Sequence, residues 1–285
     1  MRTVSLAHLT MLDASPLELI DAAAAGGFTH VGLRIVPPVP DPAWHSIVGD
    51  QQAERAIKQR LAATGVKVLD VEAFWMEPDF SAQGCRPAFA LGAALGARYL
   101  VVICDDPQRS RAIDNFASLC ALAAEFELKP ALEFIPYTHV ARLADALQIV
   151  QAVRSANAGL LIDLLHLSRS GASPADLSRV PPGLVHFAHL CDAPSAIPAT
   201  TDMLRREARG ERLYPGEGEL PIAAFLAALP PGTPVAVEAP NPRYVHLTFR
   251  QRAQYAYAAV SRAVGEIKVD PVSYTHLTLP TTPYV

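Results

Sequence analysis

Four short apolar runs in this chain each end on a side chain that ligates metal ions. They are Ala131-Leu132-Glu133, Leu160-Leu161-Ile162-Asp163, Val185-His186-Phe187-Ala188-His189 and Val235-Ala236-Val237-Glu238. A carboxylate or imidazole at the end of a buried strand is costly unless something pairs it. Three carboxylates and one imidazole form a hard, oxygen-rich donor set suited to a divalent cation. Each residue alone has an ordinary reading: Glu133 in a buried ion pair, Asp163 as the cap of the next turn. Four in succession, roughly 25 to 50 residues apart, follow the spacing of successive βα units and are hard to explain as separate ion pairs. His186 and His189 are three residues apart, so a regular strand turns only one of them inward. His189, nearer the strand's C-terminal end, is the expected ligand; His186 is expected to be a satisfied core or helix-facing residue. Asp163 and His166 are also three apart, where strand yields to loop, so both can face a common opening.

Such ligands need elements that bring them to one point. The pattern of apolar runs and turn residues predicts eight strands, each followed by a helix. The strands are Thr3–Leu9, His30–Ile35, Val66–Phe74, Tyr99–Cys104, Pro130–Ile135, Gly159–Asp163, Leu184–Leu190 and Pro234–Glu238. They are continuous apolar runs rather than alternating ones, as buried parallel strands should be. Ser15-Pro16 starts the first helix and Gly26-Gly27 ends it. Asp192 to Gly218 reads as a long polar loop, and Thr248–Val264 as the closing helix. Eight units over about 265 residues match a (β/α)8 TIM barrel, typically roughly 250 residues long, whose active site sits at the C-terminal ends of the strands. An open doubly wound sheet is the competing α/β architecture, but its Gly-rich turn after the first strand is absent: that strand runs into His8-Leu9-Thr10.

Composition narrows the functional classes. Of 285 residues 18% are charged and the formal net charge is −4, which argues against a polyanion-binding surface and leaves nucleic acid an unexpected partner. The longest apolar stretches are interrupted well before 18 residues, so no membrane span is expected. The N-terminus lacks a signal-peptide pattern. The four cysteines share no CxxC spacing, which fits free thiols in a reducing cytoplasm. The tail beginning Val272-Ser273-Tyr274-Thr275-His276-Leu277 closely resembles translated transposase-adapter sequence. The domain is therefore expected over 1–271, with 272–285 a non-native tail.

From residue 3 to 265 the chain resembles the xylose isomerase-like TIM barrels, the sugar phosphate isomerase/epimerase family. The resemblance implies one divalent metal, commonly Mn2+, held by Glu133, Asp163, His189 and Glu238 at the ends of strands five to eight. Mg2+, Co2+ and Zn2+ are the alternatives. It implies a substrate contact for His166, the second member of an Asp-x-x-His element, and for Glu72 at the end of strand three. Tyr214-Pro215-Gly216-Glu217-Gly218 resembles the family's Pro-Gly-x-Gly loop. The ketose 3-epimerases of the family carry a second Glu where this chain has His139, and an Arg where it has Ser195. Arg205, Arg206, Arg209 and Arg212 are candidates to substitute, with Arg209 the expected substrate contact.

A metal bound to a carbonyl and a neighbouring hydroxyl makes the adjacent C–H acidic by stabilising the enediolate. Carboxylates on its two faces can then remove and return the proton. Glu133 and Glu238 are the expected catalytic pair. The expected activity is a metal-dependent isomerase or epimerase acting on a sugar, sugar phosphate or cyclitol. Two readings stand beside it: a dehydratase of a keto-cyclitol or keto acid, and a non-catalytic carbohydrate-binding barrel. An abasic-site endonuclease ranks last, for want of strand-end histidines and a basic face. Homo-oligomerisation is left open.

Overall fold

The computed structural model describes residues 2–37, 46–181 and 183–265. The adapter-like tail and most of the Pro-rich loop after the second strand lie outside the described residues. Eight parallel strands close into a barrel in chain order, the last pairing with the first. They are β1 (Val4–Leu6), β2 (His30–Arg34), β3 (Lys67–Met76), β4 (Tyr99–Cys104), β5 (Lys129–Glu133), β6 (Gly159–Asp163), β7 (Val185–Leu190) and β8 (Val235–Val237). The helices are α1 (Pro16–Gly26), α2 (Gln51–Thr64), α3 (Arg86–Ala94), α4 (Arg109–Ala124), α5 (Leu143–Val153), α6 (Leu164–Arg169), α7 (Thr201–Gly210), α8 (Ile222–Ala228) and α9 (Phe249–Ala263). This is the expected (β/α)8 barrel.

Local signals explain most of these bounds. Ser15 and Glu18 form a reciprocal capping box at the start of α1, with Pro16 in the first turn. Thr248 and Gln251 do the same for α9. Strand faces divide the apolar residues into two cores. One fills the space between strands and helices. The other, including Leu69, Tyr99, Val101, Ala131, Leu161 and Phe187, plugs the barrel itself, so the interior is packed rather than open.

Three departures from the sequence expectation bear on the site. The first strand stops at Leu6, because His8–Met11 turns into a 3-10 helix. α6 begins directly after Asp163, where strand was expected to give way to loop. The stretch read as a long polar loop contains α7, capped by the Thr200 hydroxyl accepting from the Met203 N–H at 3.3 Å. Its composition is polar, but its apolar and charged residues separate onto opposite faces, an amphipathic period that could have revealed it. Among the described residues no helix is long and apolar enough to cross a membrane.

Candidate metal centre and substrate cavity

Neighbouring strands in register set the four strand-end residues side by side. Asp163 on β6 pairs with His189 on β7, and His189 with Ala236 on β8, two residues before Glu238. One donor atom from each of Glu133, Asp163, His189 and Glu238 lies within 4.8 Å of the others, and all four residues are buried. The His189 Nδ1 sits 3.2 Å from Glu238 Oε2, 3.7 Å from Glu133 Oε1 and 3.8 Å from Asp163 Oδ2. Yet His189 Nδ1 and Nε2 and Glu133 Oε1 are buried without a hydrogen-bond partner. Unpaired polar atoms converging at that depth are expensive. The group could hold a metal ion, and its donor set fits a divalent one.

Asp163 does two jobs. Its Oδ1 accepts the His166 N–H at 3.0 Å and caps α6, while Oδ2 faces His189 at 3.8 Å. The capping and ligand readings, alternatives in the sequence, are thus compatible. The two glutamates differ in environment. Burial pushes Glu133 up to about 7. Burial would also raise Glu238, but the charges of His189 and Arg212 outweigh it and hold that carboxyl well below its ordinary value. For His189, burial is outweighed by Glu238 and Glu133, which raise it.

Arg212 is the unforeseen member of the group. Its guanidinium is buried, with Nη1 2.6 Å from Asp163 Oδ2 and Nη2 3.0 Å from Glu238 Oε2. It also donates from Nε to the Ala208 carbonyl at 2.8 Å and from Nη1 to the Glu238 carbonyl at 3.2 Å. A two-way backbone bridge between Asp192, just after β7, and Leu213 sets it there. The Asp192 carboxylate then accepts the N–H groups of Gly216 and Leu220, each at 2.9 Å, which pins the Pro-Gly loop. Gly218 lies so close that a Cβ there would meet Asp192 Oδ1 and the Ala193 carbonyl at 2.5 Å. Sequence spacing alone could not rank Arg212 above Arg205, Arg206 and Arg209.

Above this group opens a cavity of about 190 Å³, smaller than the roughly 300–1,000 Å³ that suits drug-sized ligands. Glu133 and Glu238 line it; Asp163 and His189 do not. His166, Glu72 and Arg209 line it as well, so the residues expected to contact substrate share one space. Burial lowers His166 to about 4 and keeps the ring neutral. Its edge meets Tyr137, with centroids 6.2 Å apart. Glu72 lies 3.4 Å from Arg34, another lining residue.

The remaining sequence candidates lie elsewhere. His139 is exposed and bonds Asp105 at 2.6 Å, and Ser195 bonds Glu219. His186 sits at a bulge in β7, stacks on Tyr99 and meets the Asn157 carbonyl at 3.0 Å, a satisfied core histidine. Asp70 was missed. A bulge in β3 sets it opposite Gly32, where a Cβ would come within 2.6 Å of its Oδ2. Both its oxygens are buried and unpartnered. Burial first, then the Glu72 charge, raises it to about 8. An Asp within an apolar run was the available signal.

Comparison with known proteins follows the same lines. The sequence profile described as xylose isomerase-like TIM barrel matches residues 20–260. Inosose isomerase of Bacillus subtilis (strain 168) is 27% identical over 176 residues, 57% of this chain and 61% of that protein. Inosose isomerase of Bacillus licheniformis is 26% identical over 185 residues, 60% of this chain and 64% of that protein. The match therefore spans less than two thirds of these relatives. The crystal structure of IOLI protein with a binding zinc atom superposes with a TM-score of 0.77 at 21% identity, covering 93% of this chain and 98% of that one. D-allulose 3-epimerase from Methylomonas sp. gives 0.68 at 15% identity, covering 93% and 97%. At such identities the superpositions speak for the fold.

Proposed function

The chain belongs to the xylose isomerase-like TIM barrel family, and from that premise we propose that it is a divalent-metal-dependent isomerase or epimerase of a sugar-like or cyclitol ketone. The observation that carries this reading is the division of labour among the four strand-end residues. Glu133, Asp163, His189 and Glu238 meet at one point, but only Glu133 and Glu238 also face the cavity. All four hold the metal, and the two glutamates reach the substrate. The inosose isomerases among the relatives support a small polyhydroxylated ketone as substrate.

A bound divalent ion supplies the Lewis acid that makes the C–H beside a carbonyl acidic. The residues of the chain carry the proton. Glu133 and Glu238 come from β5 and β8, so a planar enediolate between them presents one face to each carboxylate. Both carboxylates line the cavity, so one can remove the proton and the other return it. His166, kept neutral by burial, binds a substrate oxygen. Glu72 and Arg34 bind hydroxyl groups.

The test is metal analysis of the purified protein, followed by solvent-deuterium incorporation across ketoses, inososes and keto acids, with loss of water scored alongside. Glu133→Gln and Glu238→Gln, assayed at saturating metal, are each expected to slow turnover by roughly 10²–10⁴-fold. No deuterium at any carbon of the active substrate, together with undiminished turnover in both variants, would sink the mechanism.

A further inference from the structure

The charges around the cavity do not cancel. With a divalent ion in place, the ion and the Arg212 guanidinium balance the carboxylates of Glu133, Asp163 and Glu238. Arg34 faces Glu72 at 3.4 Å. His166 is neutral. Arg209 is left over: it lines the cavity, and among the described residues no carboxylate lies within 4.0 Å of it.

Arg209 also belongs to a row of like charges. Arg205, Arg209 and Arg212 recur at intervals of four and three, which places them on one face of α7 and its extension. Like charges at that spacing repel, so the arrangement costs stability unless counter-charges meet it. Arg212 meets Asp163 and Glu238. Arg205 meets Asp202 at 3.6 Å and lies over the Tyr137 ring, 5.5 Å from its centroid. Arg209 instead lines the cavity together with Tyr137, a neutral group that gives it no counter-charge. Tyr137 is itself held in place by Arg205 on one side and the His166 ring on another. A second observation points into the same cavity. Arg34 is 8% exposed, and its Nε has no hydrogen-bond partner; the facing Glu72 Oε1 is likewise buried and unpartnered. Both residues line the cavity, one a donor and the other an acceptor, which suits a hydroxyl group.

We infer that Arg209, with the Tyr137 hydroxyl, forms an anion subsite, so that the substrate is a polyhydroxylated ketone bearing an oxyanion: a sugar acid or a sugar phosphate. Arg34 and Glu72 take its hydroxyl groups, and the reacting carbonyl lies over Glu133 and Glu238. This rests on the proton-transfer reading above for where the carbonyl sits, while the subsite itself rests on charge and geometry alone. A guanidinium fork suits either a carboxylate or a phosphate, so the experiment separates them.

Calorimetric titration of the Mn2+-loaded protein with matched pairs provides the test: D-fructose against D-fructose 6-phosphate, and D-fructose against D-fructuronate. At least one anionic member is expected to bind tenfold or more tightly than its neutral partner, and the pair that shows it identifies the anion. Arg209→Gln should bring the pair within about twofold of each other, and Arg209→Lys should keep part of the preference, since a lysine retains the charge but loses the fork. Arg209 is exposed, so both variants should fold, which thermal melts will check. Equal binding within each pair overturns the subsite, as does failure of both anionic members to bind. A preference that survives in Arg209→Gln also overturns it, because the metal would then hold the anion. Deuterium exchange with a neutral ketose and no effect of Arg209 would sink the subsite and leave the proton-transfer reading standing. Arg209-dependent anion binding without any C–H exchange would do the reverse.

Discussion

Replacing Arg212 with methionine tests whether the ligand set carries its own counter-cation. The side chain is 1% exposed, and its two terminal nitrogens reach Asp163 and Glu238 at 2.6 and 3.0 Å. Methionine fills much of the same space without charge. Breaking a buried ion pair by removing one partner costs about 3–5 kcal/mol, because the other charge is stranded. In chelator, two carboxylates are stranded, and a barrel of this size should lose about 6–20 °C in melting temperature at roughly 2–4 °C per kcal/mol. With a divalent ion saturating, the ion supplies the missing positive charge, and the loss should fall to roughly 2 kcal/mol. Linkage requires the difference, about 2 kcal/mol, to reappear as metal binding roughly 30-fold tighter in the variant. Circular-dichroism melts in EDTA and in excess Mn2+, with calorimetric metal titrations, measure both sides. An equal loss with and without metal, or weaker metal binding in the variant, would refute the charge-compensation argument. Arg212 would then act by holding Asp163 and Glu238 in position for the ion.

Two further substitutions probe the buried titratable groups. Asp70 holds a proton up to about 8 in the folded protein but ionises near 3.9 when unfolded, so its contribution to stability is complete below about 4 and is lost as pH rises to 8. Asp70→Asn should therefore gain on the parent progressively between those limits, by up to about 4 kcal/mol at pH 7 on 1.36 kcal/mol per unit; a melting-temperature difference that stays flat with pH would contradict this. His166→Ala should raise KM or lower kcat while metal content stays near that of the parent, and loss of the metal would mean that the ring serves the ion rather than the substrate. Because burial lowers His166 to about 4, the parent loses stability as pH falls from about 6.5 towards 4, and the alanine variant should show a flatter acid limb in the same melts.

Much of this molecule could be read without coordinates because the relevant signals are local. A parallel strand buried on both faces must be an apolar run, and a turn must follow it, so eight runs separated by caps and glycines already describe a barrel. A candidate donor at the end of such a run is recognisable for the same reason: Glu133, Asp163, His189 and Glu238 break apolar stretches at the one end where a polar group can be functional, and the fold brings the four together. Other features depend on long-range pairing and could not be read that way. Which of four arginines in the segment after β7 enters the ligand set is decided by the Asp192–Leu213 bridge and by Asp192 gripping the Pro-Gly loop. A bulge in β3 turns Asp70 towards the close approach of Gly32, and one in β7 lets His186 stack on Tyr99 while His189 still reaches the ligands. A bulge breaks the two-residue alternation on which strand reading depends. The sequence by itself therefore determined the strands and the four donor residues that end them. The tertiary structure alone decided which cation balances those donors, because charge balance in a buried site is a property of residues far apart in the chain.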